Sequence, residues 1–238
     1  MRVLLLSLLI LGCSGLSEFA PVADAAPSSG NQYHVILCGG PALRKWENLR
    51  IERDQHDRWW ANFVRASTLR MVEIRRAYGK TANITWIVYR PAYAARGRED
   101  GKPYTTWMTE LAAKRKVSLV WVSDGAGAIN AINRHPARSI INFDFFGHSN
   151  KYCFLLDYSG EIIGASKAWI HQNDLTRIRR SVFSRNAHCQ SWGCHTGESM
   201  SAYWKRATGQ TMIGARGKTN YEPLSQGRMP SVSGSWVR

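Results

Sequence analysis

Two short segments contain the residue types that carry out nucleophilic chemistry. The segment SWGCHTGESM holds Cys194, and the segment GHSN, earlier in the chain, holds His148. Cysteine hydrolysis requires a thiolate nucleophile, a group that protonates the leaving amine, and donors for the oxyanion. We therefore predict that Cys194 and His148 form a catalytic dyad.

The residues beside this pair are expected to support the same chemistry. Gly147 and Gly193 allow the backbone to approach a substrate closely. The N–H groups of Cys194 and Ser149 are the predicted oxyanion donors, and a helix expected to start at Cys194 would help to stabilise a thiolate. Trp192 is the candidate residue of the substrate pocket. This chemistry requires no metal ion and no organic cofactor.

The cysteine has two other interpretations. In the first, Cys194 forms a structural disulfide with Cys189 or Cys153, as expected for cysteines of an exported chain. In the second, four neighbouring side chains bind zinc, although their spacing is not that of a standard finger or ribbon. These side chains are His188, Cys189, Cys194 and His195.

Two further enzyme classes use residues of the same region. In a serine hydrolase, Ser149 would occupy a nucleophile elbow, but Lys151 replaces the last glycine of that motif. In a glycosidase, two facing carboxylates would be selected from Asp144, Asp157 and Glu161, and no spacing selects a pair.

The elements that must position these residues alternate between strands and helices. Apolar runs predict strands at 33–40, 84–89, 117–122, 139–146, 187–192 and 211–215, with a hairpin return at 152–158. Helical spacing predicts helices at 54–78, 105–116, 125–133, 174–184 and 198–208, with a loop at 90–104. Asp54 or Asp57 is the expected cap of the first helix, and Gly79 its end. This pattern predicts a three-layer α/β/α sandwich with a mainly parallel sheet, whose chemistry lies at the carboxyl ends of the strands.

Length and charge restrict the class of protein. The 238 residues, 44% of them hydrophobic, suit one domain with a sizeable core. The 32 Lys and Arg residues exceed the 17 Asp and Glu residues, for a net charge of +15. This charge favours an anionic envelope polymer or lipid surface as a partner, and no nucleic-acid motif accompanies it. The alternative function is a non-catalytic envelope protein that binds such a partner through a basic, Trp-rich surface.

The N-terminus carries an expected export signal. An apolar run from Val3 to Leu11 is too short to span a bilayer and is typical of a signal peptide. Cleavage after Ala25 would remove residues 1–25, whereas lipidation of Cys13 would produce a lipoprotein. Residues 26–32 form a flexible lead-in, and residues 33–238 form the domain. We expect a periplasmic, membrane-anchored or secreted protein.

The two catalytic segments resemble those of the caspase-hemoglobinase fold cysteine peptidases of clan CD, which include caspases, metacaspases and legumains. CHTG at 194–197 is similar to the Cys-His-Ser-Gly of metacaspases, FFGHS to the histidine strand, and YHVILCGG to the first strand. His148 precedes Cys194, as in caspases, where roughly 50 residues separate the two. The resemblance implies a caspase-like domain that cleaves peptides or proteins with Cys194 as nucleophile and His148 as acid. Ser149 stands where the family usually has glycine, and Trp192 where metacaspases and legumains have an acid.

Overall fold

A computed structural model describes residues 31–52, 55–160, 162 and 165–238. The expected signal peptide, Cys13, Asp54 and Glu161 lie outside the described residues, as does most of the lead-in. No helix in the described ranges is both long enough and apolar enough to cross a bilayer.

The described chain forms twelve strands and six α-helices. The strands are β1 (Tyr33–Cys38), β2 (Asn83–Tyr89), β3 (Ser118–Val122), β4 (Ile140–Phe146), β5 (His148–Ser149), β6 (Cys153–Leu155), β7 (Trp169–His171), β8 (Phe183–Ser191), β9 (Met212–Arg216), β10 (Thr219–Asn220), β11 (Ser231–Val232) and β12 (Ser235–Val237). The helices are α1 (Arg44–Glu47), α2 (Asn62–Tyr78), α3 (Arg90–Asp100), α4 (Tyr104–Lys114), α5 (Gly125–Asn133) and α6 (Met200–Thr208). Short 3₁₀ turns cover Gln172–Arg177, Arg180–Val182 and Glu222–Gln226.

Seven strands form one sheet in the order β12-β9-β8-β4-β1-β2-β3. Every neighbouring pair is parallel except β12 with β9, which is antiparallel. The six strands predicted from apolar runs are these parallel strands, so the prediction of a mainly parallel sheet is confirmed. Two small antiparallel sheets, β5-β6-β7 and β10-β11, complete the described fold.

Two hydrophobic clusters are consistent with the expected α/β/α layering. Phe63 and Met71 of α2 pack with Trp86 of the sheet in one cluster. Ile129 of α5 and Trp204 of α6 pack in the other. Alternate residues of β1 divide between the clusters, as the pleat of a strand buried on both faces requires.

The predicted loop at 90–104 is wrong, because most of it forms α3. Pro91 lies in the first turn of α3, where its missing N–H costs nothing. Gly101 ends the helix in the left-handed region, with φ of 63°. Tyr93 and Arg96 are fully buried, so tertiary contacts stabilise a helix that its polar sequence concealed.

The predicted helix at 174–184 is also wrong. The segment forms two 3₁₀ turns, and β8 begins at Phe183. Backbone hydrogen bonds join it to a neighbouring loop: the N–H groups of Arg138 and Ser139 donate to the carbonyls of Ser181 and Val182. These long-range bonds occupy backbone carbonyls of the segment that a continuous helix would bond internally. The segment therefore does not form a continuous helix.

The first predicted helix begins later than expected. Its first residue is Asn62, and Ala61 occupies the cap position without a side-chain hydrogen bond. The interpretation of Asp57 as the cap is therefore wrong, since Asp57 lies in the preceding loop. Gly79 ends α2 as predicted, with φ of 95°.

Candidate active site

The candidate histidine lies just past the end of β4. A Cβ on Gly147 would lie 2.7 Å from the Phe145 ring and 3.3 Å from the Cα of Gly39. Because no larger residue fits there, Gly147 allows the chain to leave the sheet tightly against the end of β1. His148 then begins the β5–β6 hairpin, with its side chain 16% exposed.

The candidate nucleophile follows β8, which pairs in parallel with β4. The carboxyl ends of these strands share one edge of the sheet, so Cys194 and His148 lie at that edge as expected. A turn over 194–199 separates Cys194 from α6, which begins at Met200. The expected start of a helix at Cys194 is therefore wrong, and α6 does not present its N-terminus to the thiol.

Ser149 joins the segment that holds His148 to the segment that holds Cys194. Its hydroxyl donates a hydrogen bond of 2.7 Å to the carbonyl of Cys194. A Cβ on Gly193 would lie 2.2 Å from the Ser149 Oγ, so glycine at this position permits the contact. Ser149 thus fixes the histidine hairpin against the nucleophile turn.

Cys194 and His148 line the same cleft, which has a volume of about 450 Å³. Its walls also include Trp59, Phe63, Thr219 and Glu222. The Trp59 side chain is 67% exposed, so it offers apolar surface at the cleft. A histidine and a thiol that share an open cleft can act on the same bound molecule.

A buried carboxylate orients the histidine. The Oδ2 of Asp57 lies 2.5 Å from the Nε2 of His148, and the Asp57 side chain is 1% exposed. Because a carboxylate only accepts hydrogen bonds, the proton of the neutral ring is on Nε2. Its Nδ1 therefore carries the lone pair that can accept a proton from a thiol. The ring also packs edge-on against Phe63, with centroids 5.1 Å apart.

The charge of Asp57 is maintained despite its burial. Burial by itself raises the pKa of this carboxyl. The charge of His148, its hydrogen bond and the hydrogen bond from the Ala42 N–H have the opposite effect and are larger together. The pKa of Asp57 is therefore lower than its ordinary value. The Ala42 N–H donates to Asp57 at 2.7 Å. Fully buried Arg96 donates to the carbonyls of Ala42 and Asp57, at 2.7 and 3.1 Å. The loop after β1 is thus held so that an ionised carboxylate faces the imidazole.

Thr219 of β10 contacts the thiol directly. Its N–H donates to the Sγ of Cys194 at 3.3 Å, and its Oγ1 lies 3.3 Å from the same sulfur. Both groups can donate to a thiolate, which is stabilised by such hydrogen bonds.

The turn residues after Cys194 hold the loop that carries Thr219. His195, at φ of 62°, donates its N–H to the carbonyl of Gly217. The Glu198 carboxylate lies 2.6 Å from the His195 Nδ1 and accepts the Gly217 N–H at 3.1 Å. His195 therefore acts as a turn residue and does not contact the thiol.

The backbone N–H of Cys194 is one of the two predicted oxyanion donors. No residue in the described ranges accepts a hydrogen bond from the Cys194 N–H. The Cys194 N–H is therefore free to bind a developing oxyanion.

Trp192 lies beneath the cleft, and its side chain is only 8% exposed. Its indole N–H donates to Asp144 at 3.0 Å, and its ring stacks on Phe146 with centroids 5.8 Å apart. Its carbonyl accepts the Tyr221 hydroxyl at 3.0 Å. Trp192 is not among the residues that line the cleft.

The alternative cysteine interpretations find no support in the geometry. All four cysteines in the described ranges carry free thiols: Cys38, Cys153, Cys189 and Cys194. Within those ranges no group of three His, Cys, Asp or Glu side chains is placed to hold a metal ion. His195 is paired with Glu198, and Cys189 is buried in the core.

The alternative hydrolase classes are equally unsupported. The Ser149 hydroxyl donates its proton to the Cys194 carbonyl, and no side-chain base in the described part of the chain is bonded to it. Asp144 is buried between Trp192 and Arg70, and Asp157 accepts hydrogen bonds from Ser159 within its own turn. The described carboxylates of that set therefore do not form a facing pair in the cleft.

Sequence reasoning missed two residues of the site, Asp57 and Thr219. Asp57 lies in the long loop after β1, at the sheet edge where parallel sheets place their chemistry, and this location was the available signal. Thr219 lies in the C-terminal segment, which carries no strong periodicity, so no sequence signal marked it.

Comparisons of the chain with protein-family models, with curated proteins and with solved structures found no match. The chemistry of the cleft therefore rests on the geometry of its own residues.

Proposed function

We propose that this chain is a cysteine peptidase with a caspase-like fold, which cleaves peptide bonds by acyl transfer. The observation that carries the proposal is the shared cleft of Cys194 and His148, with the histidine held by the buried Asp57 carboxylate. A nucleophile, a base and a group that orients the base are the parts that covalent hydrolysis requires.

In the first half of the reaction, Cys194 transfers its proton to the Nδ1 of His148. The thiolate attacks the scissile carbonyl carbon, and the N–H groups of Cys194 and Ser149 bind the oxyanion. His148 then protonates the leaving amine as the C–N bond breaks and a thioester forms. Asp57 remains ionised throughout and stabilises the imidazolium.

In the second half, water attacks the thioester carbonyl. His148 accepts the proton of this water, and the C–S bond breaks to release the carboxylic acid product. The Cys194 thiolate then takes a proton from the imidazolium and becomes the thiol again. The substrate is a peptide or protein segment in an extended conformation that fits the open cleft.

The position of Trp192 bears on which substrate side chains the cleft could select. An acid two residues before the nucleophile would select a basic side chain, and here an indole occupies that position beneath the cleft. Trp192 therefore offers no negative charge that would select Lys or Arg.

The test is selective alkylation combined with a peptide library. At neutral pH, iodoacetamide should modify Cys194 faster than Cys153, a half-buried thiol whose pKa is raised by burial. Cys194→Ala should abolish peptide hydrolysis while its far-UV spectrum is unchanged, and Cys153→Ala should retain hydrolysis. An accessible but unreactive Cys194 would refute the peptidase, and so would hydrolysis that persists in Cys194→Ala.

A further inference from the structure

Six exposed arginines lie in two loops at the amino ends of β4 and β8. One loop connects α5 to β4, and the other contains the two 3₁₀ turns and the start of β8. The arginines are Arg134, Arg138, Arg177, Arg179, Arg180 and Arg185, and we call this surface the arginine face.

The two loops form one surface because hydrogen bonds join them. The Arg138 N–H donates to the Ser181 carbonyl at 2.7 Å, and the Arg179 N–H to the Asn133 side chain at 2.8 Å. The Arg179 guanidinium also donates to the His135 carbonyl at 3.1 Å. The positive charges are therefore held on one rigid edge of the sheet.

Among the described residues, no Asp or Glu side chain forms an ion pair with Arg134, Arg179 or Arg180. The sequence contains no Asp or Glu between Asp174 and Glu198. The Asp174 carboxylate lies 4.0 Å from Arg177, at the margin of an ion pair. The C-terminal end of α6 lies close to the arginine face, because Arg180 contacts Gly209 there. The last turn of α6 adds two positive charges, Lys205 and Arg206.

The chain enters the domain at the same edge. The Tyr33 N–H donates to the carbonyl of Ser139, which belongs to the loop of the arginine face. The apolar run from Val3 to Leu11 lies upstream of this point in the sequence. The first strand of the described fold therefore begins beside the arginine face.

We propose that the arginine face docks on an anionic lipid bilayer. The planar guanidinium binds phosphate oxygens through two parallel hydrogen bonds, so clustered arginines suit phospholipid headgroups. The large exposed hydrophobic side chains of the described residues all lie outside the two loops, at Leu49, Ile51, Trp59, Tyr78, Trp107, Tyr152, Ile162 and Trp169. Binding is therefore electrostatic adsorption without insertion of an apolar wedge.

Docking in this way leaves the cleft open. The seven residues of β4 run from the arginine face to His148, a distance of about 20 Å at the rise of a strand. The catalytic edge consequently faces away from the lipid, and substrate enters from the aqueous side.

The test is co-sedimentation of the full-length chain with lipid vesicles. Vesicles of phosphatidylcholine with about 30% phosphatidylglycerol should bind the protein, and binding should fall steeply between about 0.1 and 0.5 M NaCl. Arg134, Arg177 and Arg180 changed together to Gln should weaken binding by about tenfold or more. The matched control changes Arg90, Arg98 and Arg228, three exposed arginines outside the two loops, to Gln. This control should retain binding within about twofold of the wild type.

Three results would overturn the proposal. Equal losses in the two triple variants would mean that net charge alone drives binding. Equal binding to pure phosphatidylcholine would mean that headgroup charge is irrelevant. Retention by soluble polyphosphate without binding to vesicles would identify a polymer as the partner instead. The salt dependence of the wild type decides the electrostatic origin even where a triple variant fails to fold.

Discussion

Replacing Asp57 with Asn tests the central geometry of the candidate site. The substitution preserves the size of the side chain and removes one buried negative charge. The Oδ2 of Asp57 accepts from both the Ala42 N–H and the His148 ring. An amide oxygen in that place can accept from the same two donors, so we expect the loop and the tautomer of the ring to persist.

The expected loss of catalytic rate in Asp57→Asn follows from the removal of the negative charge alone. A hydrogen bond to a charged group contributes about 1.5–3 kcal/mol, compared with about 0.5–1.5 kcal/mol for a neutral one. The Asp57 carboxylate is buried, so water does not screen its interaction with the imidazolium. A loss of about 1–2.5 kcal/mol in the transition state corresponds to a fall of roughly 5- to 70-fold in kcat/KM.

The assay measures two quantities in a Cys153→Ala background, which removes the half-buried competing thiol. The first is the rate of Cys194 alkylation by iodoacetamide at neutral pH, and the second is kcat/KM for the best substrate of a peptide library. Asp57→Asn should lower both, because the thiolate and the imidazolium stabilise each other. Asp157→Asn is the matched control, since Asp157 is also buried but is bonded to Ser159.

A change below about twofold in both rates for Asp57→Asn would refute the role of this carboxylate. The same conclusion would follow if Asp157→Asn produced an equal loss. Circular dichroism of the three proteins separates either result from a general loss of fold.

Three further predictions concern the same edge of the sheet. Thr219→Val should slow Cys194 alkylation by about two- to tenfold, because one hydrogen-bond donor to the sulfur is lost; Thr219→Ser should restore the rate, and no recovery would contradict the hydroxyl contact. Gly193→Ala should lower the free energy of unfolding in urea by about 1–3 kcal/mol, because its Cβ meets the Ser149 Oγ; unchanged stability would contradict that packing. The lowered pKa of Asp57 stabilises the fold above the ordinary carboxyl pKa of 3.8, and this contribution disappears as the carboxyl protonates at lower pH. The difference in unfolding free energy between wild type and Asp57→Asn should therefore shrink from neutral pH to below pH 3.8, and a constant difference would contradict it.

Local sequence signals were sufficient for the strands of the parallel sheet and for the turns that carry His148 and Cys194. The apolar runs that end at GHSN and at WGCH are dense enough to specify buried strands, and glycines mark the turns that follow. Parallel strands share a carboxyl edge, so the placement of His148 and Cys194 at one edge followed from their positions just after two strands of the parallel sheet.

The helical content was harder to predict where polar residues dominate. The helix α3 is stabilised by Arg96 and Tyr93, whose burial depends on the loop after β1 and could not be inferred from local spacing. The segment 174–184 has helical spacing, but its backbone bonds to the loop before β4 decide its conformation.

The sequence by itself determined a mainly parallel sheet, its strands and a cysteine and a histidine at one edge of it. The tertiary structure alone decided which groups surround them. Asp57 reaches His148 from a loop that is distant in sequence, and Thr219 reaches the Cys194 sulfur from the C-terminal strands. Trp192 is directed into the core by its bond to Asp144. Strand formation depends on neighbouring residues, whereas hydrogen-bond partners depend on distances that only the folded chain sets.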